Sequence, residues 1–321
     1  MSLRIGLIGC GAWGRHILRD LKDCGTTVHV LAKSEASRRN AVEQRADSVL
    51  ATLADMPAVD GYVIAAPSSL HAEIIEALLP TGRPIFTEKP MTTDIASARR
   101  IVAAAGERVF VMHKWRYHPG IERMRCEIAA GKVGDIQGIH IQRWGWGNPH
   151  GDVNAVWVLM PHDLSIILHW LGRIPPLRDV RPTLTGAAEA GILVQLGGGA
   201  EAPITIDMSI AAPEHRRTFT IFGSKASLEL RDSYDTAIRL RRGAPGDLKA
   251  AAETIEIGQD MPLLLELRAF LAHLEGGPPP MSSAAERIRC VLPTPVGLLV
   301  VERTAEIDAA TRRSLAAMKC A

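Results

Sequence analysis

Cysteine is scarce and scattered in this chain. Cys10, Cys24, Cys126, Cys290 and Cys320 are odd in number, and no two stand in a C-x-x-C pair. That spacing argues against a disulfide framework and a zinc site, and for a reducing cytoplasm. A dominant charge is also missing. Lys and Arg total 37 against 35 for Asp and Glu, a net charge of +2, which leaves no electrostatic footprint for nucleic acid or an anionic membrane. No apolar run reaches a spanning length, and the nearest, "CVLPTPVGLLVV", carries two prolines. The N-terminal "LRIGLIGCG" is too short and glycine-rich for a secretory core. The expectation is a soluble cytoplasmic protein with no nucleic-acid partner, no membrane partner and no metal. Aromatic residues make up only 4% of the chain, so a cluster of them carries information.

The 321 residues suggest two domains. The first third alternates strand and helix patterns. Leu3–Ile8, Thr27–Leu31, Gly61–Ala65, Pro84–Thr87 and Arg108–Met112 read as strands, and Ala12–Asp23, Glu35–Gln44, Ser69–Leu79 and Thr92–Ala105 as helices. Alternation of this kind means βαβ units and a doubly wound parallel sheet, an α/β Rossmann fold. After a helix over Ile121–Ala130 the pattern changes to strand segments: Ile136–Trp146, Ile192–Leu196, Ile204–Ile210, Thr218–Phe222, Ser227–Arg231, Ala237–Arg242 and Thr254–Ile257. Short turns separate several of them, which predicts an open-faced, mainly antiparallel sheet in an α+β domain. Helices are expected over Met160–Leu171, Leu263–Glu275 and Ala284–Ala317. The expected division is a dinucleotide-binding domain over 1–118 and a substrate-binding and oligomerisation domain over 119–321.

"IGLIGCGAWGRHIL" places Gly9, Gly11 and Gly14 in G-x-G-x-x-G spacing between a strand and a helix. Gly9 makes the tight turn, Gly11 admits a pyrophosphate, and Gly14 lets helix and strand pack closely. The intervening Cys10, Ala12 and Trp13 complete a cofactor loop that faces the positive end of the helix. Where an acid at the second strand tip would bind an NAD ribose, the chain reads Ala32, Lys33 and Ser34, with Arg38 and Arg39 close behind. A hydroxyl and cations suit a 2′-phosphate, so the expected cofactor is NADP(H), with NAD(H) as the alternative. Lys33, Ser34 and Arg38 are the discriminating residues. The competing reading is a solvated basic helix start, and Glu35 is the residue that would restore NAD(H).

Two further strand ends matter, because ligands of doubly wound sheets sit outside the carboxyl ends of the strands. "AAPSSLH" supplies Ala66, Pro67 and His71, and "FTEKP" supplies Glu88 and Lys89. Back-to-back opposite charges at the end of a buried strand either cap it in solvent or line a crevice. Pro90 keeps Lys89 extended and bars an immediate helix start. A partly buried lysine there could exchange protons with a substrate.

These segments, together with "KWRYHPG", "AGKVGDI" and "PHDLSIILHWLG", resemble in order the glucose–fructose oxidoreductase / inositol dehydrogenase / rhizopine catabolism (Gfo/Idh/MocA) family. The resemblance is tight over residues 3–172. It implies a Rossmann domain followed by an open-faced sheet domain. It also implies reversible hydride transfer between NAD(P) and a sugar, nucleotide sugar, cyclitol or similar polyol carbon. Lys89 would touch nicotinamide ribose and substrate, and Glu88 and Pro67 the cofactor. His162 would be the acid/base. The family's aspartate four residues earlier is replaced by Val158, and its glycine by Met160. That departure keeps open a non-catalytic NAD(P)-binding sensor of the same fold. Without the resemblance, His162 reads first as a structural histidine near a helix start, with Asp163 supporting that start.

Arg116 follows the sixth strand and could meet the cofactor, and Tyr117 the substrate. "QRWGWGNPHGDVNAVW" concentrates three tryptophans. Trp144, Trp146, Asn148 and Trp157 offer the stacking faces and amide partners that a sugar ring needs. Trp144 and Trp146 are two apart and share a strand face, which also fits packing on another subunit. Arg143, Arg216 and Arg217 are candidates for a nucleotide diphosphate. Apolar residues on both faces of "ITIDMSI" and "RTFTIFG" suggest a sheet covered on both sides, hence a homodimer or homotetramer through that sheet.

Overall fold

A computed structural model describes residues 2–147, 155–183, 190–243 and 250–282. They divide into two compact units. One holds residues 2–117 and 260–282, and the other holds the described residues from 118 to 259. Among the described residues no helix is long and apolar enough to cross a membrane.

The first unit is a six-stranded parallel sheet. Its strands are β1 (Arg4–Ile8), β2 (Thr27–Leu31), β3 (Ser48–Leu50), β4 (Gly61–Ile64), β5 (Ile85–Thr87) and β6 (Val109–Val111), in the order β3-β2-β1-β4-β5-β6. Helices α1 (Gly14–Asp23), α2 (Glu35–Glu43), α3 (His71–Leu78) and α4 (Ile95–Ala105) form the crossovers. Every residue of β4, β5 and β6 is buried, as continuous apolar strands require when both faces are covered. Strand β3 was not foreseen. Its three half-buried residues are too few to show a period.

The second unit is an eight-stranded sheet. Its strands are β7 (Ile136–Trp146), β8 (Leu177–Pro182), β9 (Gly191–Gly198), β10 (Glu201–Ser209), β11 (Ala211–Gly223), β12 (Ala226–Leu230), β13 (Ala237–Arg242) and β14 (Ala252–Glu256), in the order β14-β13-β12-β11-β7-β10-β9-β8. All neighbours are antiparallel except β7 and β10, which run parallel. Helices α5 (Pro119–Ala129) and α6 (Ala155–Leu171) belong to this unit. Trp170 of α6 lies edge-on to Phe219 of β11, with ring centroids 6.4 Å apart, so α6 covers the face that Phe219 occupies.

Parity then assigns each strand residue to a face. Ile139, Ile141 and Arg143 of β7 share the helix-covered face with Ile204, Ile206 and Met208 of β10, and all are buried. His140, Gln142 and Trp144 share the opposite face with Thr205, Asp207 and Ser209. The alternation is therefore strict in β10, and in β11 it is broken on the outer face only by Phe222, which is 39% exposed. The expectation of apolar residues on both faces is corrected here. The isoleucines and Met208 all fall on one side, and the intervening positions are Thr, Asp and Ser.

The chain then returns to the first unit. Helix α7 (Pro262–Leu274) places Leu263, Leu267, Phe270 and Leu271 in the same core as Ile5, Val30, Phe86 and Phe110. Phe270 stacks on Phe86 at 5.0 Å and meets Phe110 edge-on at 6.4 Å. Each such buried ring contributes about 1.5–3 kcal/mol of apolar burial. Val111 N–H donates to Ser282 O at 3.1 Å, and Met281 N–H donates to Tyr117 Oη at 2.8 Å. A single boundary at 118/119 therefore does not describe the chain. The apolar stripe of α7 finds its complement in the parallel sheet. The helix expected over 284–317 lies outside the described residues.

Candidate functional site

The carboxyl edge of the first unit is shaped by its glycines. Gly9 has φ +94°, and a Cβ on it would stand 2.7 Å from Ala65 O. A Cβ on Gly14 would stand 2.6 Å from Gly9 O. These two glycines are required by the fold itself. Gly11 differs, because among the described residues no heavy atom beyond its two chain neighbours lies within 4 Å of where its Cβ would be. The space beside Gly11 is open, as close approach of a phosphate requires. No side-chain hydrogen bond caps α1 among the described residues, and Arg15, His16 and Ile17 N–H donate to the carbonyls of Gly11 and Trp13, so the start of α1 adjoins the same space without a capping side chain to fill it. The residues present thus fit a dinucleotide.

Around this loop several of the other expected residues have definite partners. Cys10 is fully buried, and burial pushes its thiol up to about 11, which leaves it unreactive. Its carbonyl accepts from Asn40 Nδ2 at 2.9 Å, a tie from α2 that the sequence did not reveal. Ala12, Lys33, Ser34 and Arg38 are exposed. Ser34 caps α2 by accepting from Ser37 N–H at 3.2 Å, and Arg38 Nε donates to Ala32 O at 3.1 Å. Glu35 is paired with Arg39 at 2.6 Å.

At the tips of β4 and β5, His71 is 1% exposed and lies between two carbonyls. Its Nδ1 is 2.7 Å from Pro90 O and its Nε2 is 2.9 Å from Ala66 O. Carbonyls only accept and a neutral ring carries one N–H, so His71 donates to one of the two carbonyls, the tautomer deciding which, and its donor is spent between the two tip loops. Pro67 is exposed, Lys89 is 9% exposed, and the Lys89–Pro90 bond is cis. Glu88 accepts from Trp13 Nε1 and from Lys89 N–H, the latter at 3.0 Å. Arg116 is buried, and Tyr117 is occupied by Met281 N–H. Lys114 Nζ stands 4.3 Å from the Trp13 ring centroid, a contact that sequence spacing gave no means of finding.

In the second unit, His162 is buried on α6, directly after Pro161. Because α6 starts at Ala155, His162 and Asp163 lie inside the helix, not in its first turn. Asp163 supports no helix start, which corrects that expectation. It is fully buried and faces Arg143, whose Nε is 3.0 Å from both carboxylate oxygens and whose Nη2 is 2.5 Å from Oδ1. This is a forked, charge-assisted pair. Arg143 is therefore committed to Asp163.

Its cross-strand neighbour Arg217 is pushed down to about 10 by burial and by the charge of Arg143. Arg217 Nη1 donates to Trp144 O and to Arg216 O. Trp144 stands on the face opposite Asp163 and α6, with the Arg216 guanidinium 5.2 Å from its ring. Trp146 is 79% exposed. Asn148 lies outside the described residues. Trp157 and Val158 belong to α6 by backbone, and their side chains lie outside the description.

Comparison with known proteins adds the following. Residues 3–113 match the family model GFO_IDH_MocA, described as an oxidoreductase family with an NAD-binding Rossmann fold. An inositol 2-dehydrogenase of Paracoccus denitrificans (strain Pd 1222) is 31% identical over 187 residues, which are 53% of this chain and 54% of that protein. An inositol 2-dehydrogenase of Corynebacterium glutamicum (strain ATCC 13032) is 25% identical over 65% of this chain and 68% of its own length. The chain spans about half the length of the first curated relatives it matches. Among solved structures, a UDP-N-acetylglucosamine 3-dehydrogenase from Acidithiobacillus ferrooxidans has a TM-score of 0.79 at 22% identity, over 94% of this chain and 96% of that one. A levoglucosan dehydrogenase in complex with NADH and levoglucosan has a TM-score of 0.81 at 16% identity, over 96% and 98%. These likenesses show the shared fold.

Proposed function

We propose, from the match of residues 3–113 to the Gfo/Idh/MocA family model of NAD-binding oxidoreductases, that this protein is an NAD(P)-dependent dehydrogenase or reductase acting on a sugar, nucleotide sugar or cyclitol, with NADP(H) as its cofactor. The observation that carries the proposal is the open space at Gly11 beside an uncapped helix start, on the sheet edge that also carries Lys89. The relatives' names, inositol 2-dehydrogenase and UDP-N-acetylglucosamine 3-dehydrogenase, support the substrate class.

In this reading the loop from Gly9 to Gly14 and the first turn of α1 hold the pyrophosphate. Lys33, Ser34 and Arg38 hold the adenosine ribose end. The second strand tip itself carries Lys33 and Ser34 rather than an acid, which supports NADP(H), and Glu35 lies in the first turn of α2 in an exposed pair with Arg39. A bound nicotinamide supplies or accepts the hydride. Lys89 donates a hydrogen bond to the reacting oxygen and polarises it. His162 takes the hydroxyl proton on oxidation and returns it on reduction, since an imidazole exchanges protons near neutrality. We also place the protein in the cytoplasm as a homodimer or homotetramer. The sheet face that carries Trp144, Trp146 and Phe222 would be the contact, and light scattering of the purified protein reads the assembly.

The test is reduction of NADP+ or NAD+ by a panel of inositols, hexoses and UDP-sugars. Turnover with one of them, lost in Lys89→Ala and in His162→Ala, is the expected result. Val158, in place of the family's aspartate, favours a second reading, a sensor that binds the cofactor without turning over. Cofactor binding with no turnover on any compound of the panel would select the sensor.

A further inference from the structure

The family resemblance implies a cofactor contact for Glu88, and both its oxygens are engaged within the protein. Oε1 accepts from the Trp13 indole N–H, and Oε2 accepts from Lys89 N–H at 3.0 Å. Trp13 stands in the loop between β1 and α1, whereas Glu88 and Lys89 follow β5. Strand β4 lies between β1 and β5 in the sheet. The indole therefore reaches across the tip of β4 to hold the segment that carries Lys89. Lys114, from the segment after β6, places its ammonium 4.3 Å from the centroid of the same ring. One side chain joins three separate connections at the carboxyl edge. It stays 37% exposed.

We propose that Trp13 is the positioning residue of Lys89. The indole sets the Glu88 carboxylate, and the carboxylate sets the Lys89 backbone. The loop that receives a pyrophosphate thereby also fixes the lysine that meets substrate. This rests on the reading of the edge as a dinucleotide site. The physical basis is that an ionised carboxylate held by N–H donors at both oxygens makes stronger, shorter and more directional bonds than a neutral acceptor. A carboxylate held at one oxygen only would leave the Lys89 amide free to shift. Displacement of a reacting group by about 1 Å can cost a hundredfold in rate.

The test is a double-mutant cycle read by NADPH titration of the purified full chain. Trp13→Phe keeps the ring and its contact with Lys114 but removes the indole N–H. Glu88→Ala removes the acceptor. Each single variant is expected to raise the NADPH Kd about tenfold, and the double variant no more than the worse single, because residues in one hydrogen-bonded chain are not additive. Trp13→Phe is also expected to lower kcat with little change in substrate KM, while its thermal unfolding midpoint stays at the wild-type value. A merely structural tryptophan would move the midpoint and leave the kcat-to-KM split alone. Wild-type Kd and kcat in Trp13→Phe, or a double variant about a hundredfold weaker as independent sites would give, would overturn the proposal. A wild type that binds neither NADPH nor NADH would overturn the dinucleotide reading and this proposal with it. Binding by wild type that is indifferent to Trp13→Phe would overturn this proposal alone.

Discussion

The two units handle charge inside an apolar protein in opposite ways. In the first, Glu88 and Lys89 stand past the last residue of a three-residue buried strand, at the sheet's edge. In the second, Arg143 sits in the interior of an eleven-residue strand, 2% exposed, matched by a fully buried Asp163. The difference follows from how each sheet is covered. A parallel sheet with helices on both faces leaves only its strand ends for chemistry. A sheet with helices on one face can place a functional or structural charge anywhere along a strand, and parity decides which side receives it. Arg143 and Trp144 are adjacent in sequence and serve opposite faces.

This contrast can be broken most strongly at the buried pair. Arg143→Met leaves Asp163 uncompensated, and the unfolding free energy of the second unit should fall by about 3–5 kcal/mol. The double replacement Arg143→Met with Asp163→Leu should recover most of that loss, since a packed apolar pair of similar volume can equal a buried ion pair. Urea unfolding followed by probes in each unit measures both variants. Equal damage to the first unit's transition would contradict the separation.

The edge of the first unit answers to a different change. Gly14→Ala forces a Cβ to within 2.6 Å of Gly9 O, a backbone atom in the residue after β1, whose own N–H is tied to Leu31 O at 2.9 Å. The expected loss is about 1–3 kcal/mol, confined to the first unit and visible without any cofactor in a thermal melt.

A smaller effect belongs to His118, which burial first of all holds below the usual value of 6.5. Its Nδ1 accepts from Gly120 N–H at 3.0 Å, and its Nε2 donates to Ser233 O at 2.9 Å, so the neutral ring caps α5. The folded state binds this proton less readily than the unfolded chain does. Stability should therefore be full above about 6.5 and decline as pH falls below it. In His118→Asn, which retains a capping oxygen, the decline should be shallower. Denaturant midpoints measured from pH 7.5 to about 5 would show it.

How much of this was legible in the chain depends on the same contrast. The glycine spacing, the strand tips and the E-K-P segment located the first unit's edge, because topology sends ligands to strand ends whatever the packing. Strand β3 was invisible, since three residues carry no period, and α7's return was invisible because an apolar stripe does not name its partner. In the second unit the strands of β7 and β13 were legible to the residue. The pairing of β7 with β10 in parallel was not, because turn lengths speak for hairpins alone. The start of α6 was misplaced through Pro161, which reads as a helix boundary and stands inside the helix instead. That error made Asp163 look like a first-turn acid and hid its bond to Arg143.

The central claim is that the open space at Gly11 is a dinucleotide site. The most direct test is titration of the wild-type protein and of Gly11→Ala with NADPH and with NADH, followed by nicotinamide fluorescence. The account predicts saturable binding to wild type, tighter for NADPH, and a loss of about tenfold or more in Gly11→Ala, whose unfolding midpoint is unchanged. No saturable binding to wild type, or equal binding by the two proteins, would contradict it.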